Sequence, residues 1–490
     1  MRGSGIILHI SSLPSPYGIG TLGKEAYTFV DYLRKAGQKY WQVLPLGPTS
    51  FGDSPYQTFS AFAGNPYFID FRILTEEGLL FKNEYETIIW ESAPNVVDYK
   101  IQYDNRIHLL KLAYHRFKAS SQEKFNTFKK DNHNWLDDYA FFMSLKYVFG
   151  GSDWANWNQD IKLRLPEAMT SYRNKLEGEI DFWSFTQYKF YEQWHALKNY
   201  ANKNGISLIG DMAIYVAYDS SDVWANSEFF QLDQNKTPIE VAGVPGDDFA
   251  KEGQLWGNPL YDWDYMKHQN YSWWVERVRS AKELYDVIRI DHFRGFESYF
   301  AVKFGSPNAI NGVWKKGPDV ALFDTIKTEL GDVQIIAEDL GFITPEVHNM
   351  LAGAGYPGMK VMQFAFDGRP ENEYLPHNYS NNCVVYVSTH DSDTVLGWFN
   401  GLHSEQKMYV NRYLHITNEK DQVWRMIESA WASVANLAMC QMQDILELDN
   451  SARMNTPSTV GINWIWRMKE SDLSDQIAAR LKSLTRFYNR

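Results

Sequence analysis

Four acidic residues, Asp211, Asp291, Glu338 and Asp391, end stretches of apolar sequence. The stretches have the β-branched and aliphatic character of buried strands. One acid in such a place is unremarkable, but four are more than structural ion pairs explain, because an unpaired buried carboxylate is costly. Two carboxylates, one ionised and one protonated, can carry out glycosyl transfer or hydrolysis: the first attacks the sugar and the second donates a proton.

A divalent metal site is the alternative chemistry for the same acids. Carboxylate oxygens with His292 or His390 are plausible ligands of a hard cation. Aromatic residues make up 16% of the chain, with 18 Trp and 30 Tyr, and such rings stack on sugars as readily as they fill a core. Composition and spacing therefore favour sugar chemistry only modestly.

The most informative stretch is VIRIDHFRGF, residues 287–296. Strand side chains alternate, so Arg289 and Asp291 point to the same side. A guanidinium beside a carboxylate favours its ionised form. Asp291 is then a nucleophile, a metal ligand or half of a structural ion pair, and this stretch alone does not choose among them.

The elements that must position these acids form an α/β pattern. A strand at 6–8, a helix at 24–36 and a strand at 40–44 make a βαβ unit, which predicts a parallel sheet. Further strands are predicted at 206–209, 287–290, 333–337, 360–364 and 383–388. The spacing suits a TIM (β/α)8 barrel, in which strand C-termini meet at one mouth.

Long interruptions divide this pattern. Residues 1–70 form the first part of the barrel, residues 71–200 a mostly helical inserted lobe, and residues 201–490 the remainder. Gly- and Pro-rich loops follow the second strand and Asp211, and we expect them to cover the C-terminal face, since long loops of this kind usually carry function.

Composition excludes several classes of protein. The net charge of −12 argues against nucleic acid or anionic membranes as partners. No apolar run approaches the ~20 residues of a spanning helix, and no secretory signal is apparent. Two cysteines, Cys383 and Cys440, form neither a disulfide framework nor a metal motif. A cytoplasmic protein is expected.

Nine motifs, spread over nearly the whole chain, resemble those of the 4-α-glucanotransferases of the amylomaltase and disproportionating-enzyme type, glycoside hydrolase family 77 in the α-amylase superfamily. They are SLPSPYGIG, GDSPYQ, IGDMAIYVAYDSSDVWA, GQLWGNPLYDW, RIDHFRGF, IIAEDLG, KVMQFAF, THDSDT and RMNTPSTVGINW. Their presence in this order makes the resemblance highly specific.

The resemblance implies a role for each acid. Asp291 corresponds to the nucleophile that forms a glycosyl-enzyme intermediate, and Glu338 to the general acid/base. Asp391 corresponds to the third carboxylate, which binds ring hydroxyls and favours distortion of the reacting glucose. Retention of the α configuration needs such a nucleophile and a separate acid that later serves as base.

The resemblance also implies a set of substrate-binding residues. Arg289 would keep Asp291 ionised, and His390 and Asp211 would bind the reacting glucose. Aromatic and amide side chains would complete the pocket: Tyr56 by stacking, Trp256 and Asn258 at the acceptor chain, and Phe364 as a wall.

The implied partners are α-1,4-glucans and maltooligosaccharides, with glucose as an acceptor and with no cofactor and no metal. An α-1,4-glucan hydrolase of the α-amylase type would use the same three carboxylates, and it remains the alternative. Phe51 stands where the family commonly has Tyr in a remote glucan-binding site, so hydrogen bonding there is in doubt. Met212, Ser392, Ser458 and Ile462 also depart from the family pattern; we expect them to alter chain-length preference before chemistry.

Overall fold

The computed structural model describes residues 2–50, 52–246 and 251–490. Its strands occupy β1 Gly3–Ile7, β2 Tyr40–Gln42, β3 Ser207–Met212, β4 Glu240–Val244, β5 Gln254–Pro259, β6 Val287–Ile290, β7 Ser298–Lys303, β8 Val313–Lys316, β9 Ile335–Ala337, β10 Gly358–Val361, β11 Cys383–Tyr386 and β12 Leu437–Gln441.

Eight of these strands form one parallel sheet in the order β10-β11-β12-β1-β2-β3-β6-β9. The two end strands also meet, because the Ala337 N–H donates to the carbonyl of Pro357, just before β10, at 2.9 Å. The predicted (β/α)8 barrel is therefore confirmed. Since all strands run the same way, their C-terminal ends open at one mouth.

Apolar side chains on alternate strand positions fill the barrel interior. Buried residues that pack together there are Ile7, Ile209, Ile336, Met359, Val361, Val384, Tyr386, Leu437 and Met439. A larger apolar cluster lies between the strands and the surrounding helices. Each strand is thus buried on both faces, as parallel sheets require.

Helices surround the barrel and fill the segment between β2 and β3. They span Lys24–Lys35, Phe71–Glu76, Tyr99–Phe117, Glu123–Asp131, His133–Val148, Gln159–Lys162, Pro166–Lys175, Glu177–Lys203, Ser221–Ala225, Trp263–His268, Ser272–Leu284, Val320–Leu330, Pro345–Ala354, Val395–Gly401, Ser404–Tyr413, Gln422–Ala432, Met442–Ile445 and Asp475–Phe487. Within the described ranges, no helix is both long and apolar enough to cross a membrane. The domain division at residues 70 and 200 stays a prediction.

The sequence prediction missed two features. The long loop expected after Asp211 contains part of a second, antiparallel sheet with the order β5-β4-β7-β8. The eighth barrel strand, β12, was also missed, because its sequence LAMCQ has few of the β-branched residues that mark a strand. The run at 360–364 is only partly a strand: β10 ends at Val361, and Met362–Phe364 is a 3-10 turn.

Candidate active site

Three neighbouring strands bring the first acids together. Asp211 lies near the end of β3, directly beside Arg289 of β6 in the register of the sheet. Asp291 follows β6 and is fixed by its N–H, which donates to the Met212 carbonyl at 2.9 Å. Glu338 follows β9, the strand on the other side of β6. All three acids therefore lie at the C-terminal mouth.

The Arg289 guanidinium is shared between two carboxylates. Its Nη1 donates to both oxygens of Asp211 at 2.7 and 2.8 Å, and it lies 3.1 Å from Asp291 Oδ1. The Arg289 and Asp211 side chains are 4% and 0% exposed, whereas that of Asp291 is 28% exposed. Asp211 therefore has the closer contact with the guanidinium, whereas Asp291 is the carboxylate that a ligand can reach.

Glu338 is held by two backbone donors. The His292 N–H donates to Oε2 at 2.7 Å, and the Leu340 N–H donates to Oε1 at 2.8 Å. His292 has φ 48° and ψ 48°, a left-handed backbone conformation that residues other than glycine rarely adopt. This turn directly after Asp291 presents the N–H to Glu338, and it is local strain of the kind that clusters at functional sites.

Burial separates Asp291 and Glu338 from ordinary surface carboxyls. Burial, with the nearby Asp291 carboxylate as second cause, raises the pKa of Glu338 to about 7. Burial raises the pKa of Asp291 to about 6, although the Arg289 guanidinium opposes this rise. Close to neutral pH the pair thus favours one proton, held by Glu338.

A hydrogen-bonded chain links Asp211 to the fourth acid. The Tyr56 hydroxyl donates to Asp211 Oδ2 at 2.8 Å and lies 2.8 Å from His390 Nε2. His390 Nε2 is 3.2 Å from Asp391 Oδ2, and Asn455 Nδ2 donates to Asp391 Oδ1 at 2.6 Å. The four acids, three from neighbouring strands and one from beyond β11, therefore form one site.

Asp391 differs from the other acids in its protonation. Burial favours its neutral form, but His390 and the Asn455 amide outweigh burial and hold the pKa of Asp391 well below its ordinary value. Burial likewise opposes charge on His390, yet the Asp391 carboxylate raises the pKa of this imidazole overall. Asp391 is therefore an ionised hydrogen-bond acceptor near neutral pH.

Asn455 was not identified from the sequence, although it lies in the motif RMNTPSTVGINW. Its neighbour Arg453 donates from Nη2 to the Asp391 carbonyl at 2.7 Å. The one available signal was an Arg and an Asn within three residues of a turn-rich segment, and it does not show which acid they contact.

Two further predicted residues come from β5. The Trp256 ring is half-buried and meets His292 edge to face, with ring centroids 4.8 Å apart. Asn258 is buried, and its amide already has protein partners: Nδ2 donates to the Val216 carbonyl at 2.8 Å, and Oδ1 accepts from Gln57 Nε2 at 3.1 Å. Trp256 thus lines the site beside His292, whereas Asn258 ties β5 to two loops.

Phe364 lies on the 3-10 turn after β10 and is 45% exposed. Its ring contacts Tyr374 edge to face at 5.6 Å. It lies outside the hydrogen-bonded chain of acids. The remote site predicted at Phe51 falls outside the described residues.

The chemistry of the arrangement is that of a carboxylate pair. Within the described part of the chain, no group of three or more His, Cys, Asp or Glu side chains is arranged to hold a metal ion. Asp291 and Glu338 lie at one mouth with different proton affinities, which is what glycosyl transfer or hydrolysis demands.

Comparisons with known proteins find one and the same family along nearly the whole chain. A family model described as 4-alpha-glucanotransferase matches residues 8–474. The 4-alpha-glucanotransferase of Clostridium butyricum is 50% identical over 485 residues, covering 99% of this chain and 100% of the relative. That of Streptococcus pneumoniae strain TIGR4 is 47% identical over 492 residues, covering 100% and 97%. The solved amylomaltase of Streptococcus agalactiae in complex with acarbose is 44% identical, with a TM-score of 0.98 and 100% of both chains covered.

Proposed function

Because this chain belongs to the 4-α-glucanotransferase family, we propose that it transfers α-1,4-glucan segments by a retaining double displacement through a covalent glycosyl-enzyme intermediate. The acceptor is glucose or a maltooligosaccharide. The observation that carries the proposal is the carboxylate pair Asp291 and Glu338, two acids at one mouth with different proton affinities.

In the first step, an Asp291 oxygen forms a bond to the anomeric carbon as the bond to the glycosidic oxygen breaks. Glu338 gives its proton to that oxygen, so the leaving chain departs as a neutral alcohol. In the second step, the Glu338 carboxylate takes a proton from an acceptor hydroxyl. The acceptor oxygen attacks the anomeric carbon, Asp291 leaves as a carboxylate, and two inversions give net retention.

The remaining polar groups bind and orient the reacting glucose. Asp391 is an ionised acceptor for ring hydroxyls, and these hydrogen bonds strengthen as the ring distorts. The other residues proposed to contact substrate are Arg289, His390, Asp211, Tyr56, Trp256, Asn258 and Phe364. Transfer wins over hydrolysis when aromatic acceptor contacts place a sugar hydroxyl, rather than water, at the intermediate.

Incubation with maltotriose tests the transfer reaction. We expect glucose and longer oligosaccharides with no net gain of reducing ends, because each bond broken is replaced by a bond formed. Chromatography of the products with a reducing-sugar assay gives both quantities. A steady gain of reducing ends would identify a hydrolase instead.

The activity should depend on pH through the two carboxyls. Asp291 must be ionised, and since its pKa is raised to about 6, kcat/KM should fall as the pH drops below that value. Glu338 must be protonated, and since its pKa is raised to about 7, kcat/KM should fall as the pH rises above it. We expect a bell-shaped profile of kcat/KM for maltotriose with its maximum between the two. A profile that stays flat through this interval would contradict the assignment.

A further inference from the structure

A cavity of about 230 Å³ opens beside the antiparallel sheet and is lined in part by Arg294, Glu297 and Ser298. Trp314 of the edge strand β8 and Phe342 of the loop after Glu338 form its aromatic walls. They are 39% and 71% exposed. Two exposed rings that line one cavity form a contiguous apolar surface, and such a surface is a candidate binding site.

The Trp314 ring is held in place from two sides. The Arg294 guanidinium lies over it, 3.8 Å from the ring centroid. Phe300 of the neighbouring strand β7 meets it edge to face at 5.1 Å. A rigid, partly exposed aromatic face loses little conformational entropy when a sugar ring stacks on it.

One polar atom in the cavity wall, Arg294 Nε, has no protein partner among the described residues. Arg294 is only 3% exposed; it donates to the Phe342 carbonyl and to Ser298 Oγ, yet its Nε is buried without an acceptor. Buried polar groups are normally paired, so this atom indicates a polar ligand.

Charge favours a neutral ligand. Lys315 pairs with Glu240, and Lys316 pairs with Glu297. Arg294 and Glu346, which also line the cavity, carry opposite charges. The charges therefore cancel, and the cavity lacks the excess of positive charge that a phosphate or another anion would require. Aromatic rings beside hydrogen-bonding groups without net charge suit a polyhydroxylated ligand.

Two chain segments connect the wall of the cavity to the active site. Arg294 is two residues after His292, whose N–H holds the Glu338 carboxylate. Phe342 is four residues after Glu338, so their Cα atoms are at most about 14 Å apart. A glucan chain that leaves the active site on this side of Glu338 would therefore reach the cavity.

We propose that this cavity binds the outer glucose units of a long acceptor α-glucan chain, whose non-reducing end lies at Asp291 and Glu338. Trp314 and Phe342 stack on the sugar rings, and Arg294 binds a hydroxyl group through Nε. The inference rests on the proposed function, and it makes this site a determinant of acceptor length.

The test compares glucose with maltoheptaose as acceptors. It is carried out with the unaltered protein and with the variants Phe342→Ala and Trp314→Ala. We expect each variant to raise KM for maltoheptaose roughly three- to tenfold, the size expected when an aromatic contact is lost. KM for glucose should stay within twofold, because glucose does not reach the cavity. Trp314→Tyr should restore most of the maltoheptaose affinity, since it retains a stacking face.

Phe487→Ala is the matched control, because Phe487 is 79% exposed on the C-terminal helix; it should change neither KM. Equal KM values for maltoheptaose in the full chain and in both Ala variants would overturn the inference. A rise in KM for glucose as large as the rise in KM for maltoheptaose would also overturn it.

Direct binding of maltoheptaose by calorimetry separates this inference from the proposed function. If the unaltered chain transferred nothing, the proposed function would fail. Weaker binding by both Ala variants would still support the cavity as a glucan site, and unchanged binding would reject it.

Discussion

Replacement of Asp291 by Ala is expected to lower kcat for maltotriose disproportionation by about 10⁴-fold or more, the size of loss that follows removal of a covalent nucleophile. The side chain is the most accessible member of the Arg289 cluster, at 28% exposed. Its loss leaves Arg289 paired with Asp211 at 2.7 Å, so the fold should persist. Stopped assays of glucose release, with the unfolding midpoint measured beside them, separate loss of chemistry from loss of structure.

Azide provides a sharper readout for Asp291→Ala. With α-maltosyl fluoride as donor, azide can enter the space left by the carboxylate and attack the anomeric carbon on the face opposite fluoride. The product should be the β-glycosyl azide, because only one inversion occurs. An α product, or turnover of maltotriose at the unaltered rate, would reject Asp291 as the nucleophile.

Asp286→Asn is the matched control for this variant. Asp286 lies just before β6, at the opposite end of the same strand, where its Oδ2 accepts from the Leu208 N–H at 2.7 Å and from Asn202 Nδ2 at 2.8 Å. Its replacement should lower stability modestly through weakened hydrogen bonds, and kcat should be nearly unchanged.

Replacement of Glu338 by Ala is expected to lower kcat for maltotriose by about 10³- to 10⁴-fold, since an alcohol leaves poorly without a proton. Formation of the intermediate from α-maltosyl fluoride should be slowed far less, because fluoride departs without needing a proton. Azide should then attack the intermediate and give the α-glycosyl azide, the opposite anomer from that expected with Asp291→Ala. The alkaline fall of kcat/KM should also vanish, since Glu338 is the group assigned to it.

Glu329→Ala provides the comparison, because Glu329 is an exposed carboxylate in the helix Val320–Leu330. This variant should leave kcat with both donors and the pH profile of kcat/KM unchanged. If Glu338→Ala lowered kcat equally for maltotriose and for α-maltosyl fluoride, Glu338 would not be the group that donates a proton to the leaving group.

Much of the architecture follows from local sequence. The strand Val287–Ile290 follows from its sequence, because three β-branched residues, Val287, Ile288 and Ile290, are bounded by charged and turn residues. Seven of the eight barrel strands were expected from such patterns, and the placement of Asp211, Asp291 and Glu338 at one mouth followed from parallel topology alone. The missed strands, β12 and those of the antiparallel sheet, are no shorter than the barrel strands. β12 was missed because its sequence LAMCQ has few β-branched residues, and there local preference does not decide.

Only the tertiary structure decided how the acids are partnered. From the sequence, Arg289 was paired with Asp291, its neighbour two positions away. In the structure its closest carboxylate is Asp211, which is 78 residues away in sequence but beside it across two strands. Asn455 reaches Asp391 from 64 residues away, and the left-handed turn at His292 directs an N–H to Glu338. Local sequence sets which residues form a strand and where it ends, whereas pairing and burial depend on strand register and on which loops cover the mouth. For that reason local sequence predicts which acids lie at the mouth, and the tertiary structure decides which groups contact each of them.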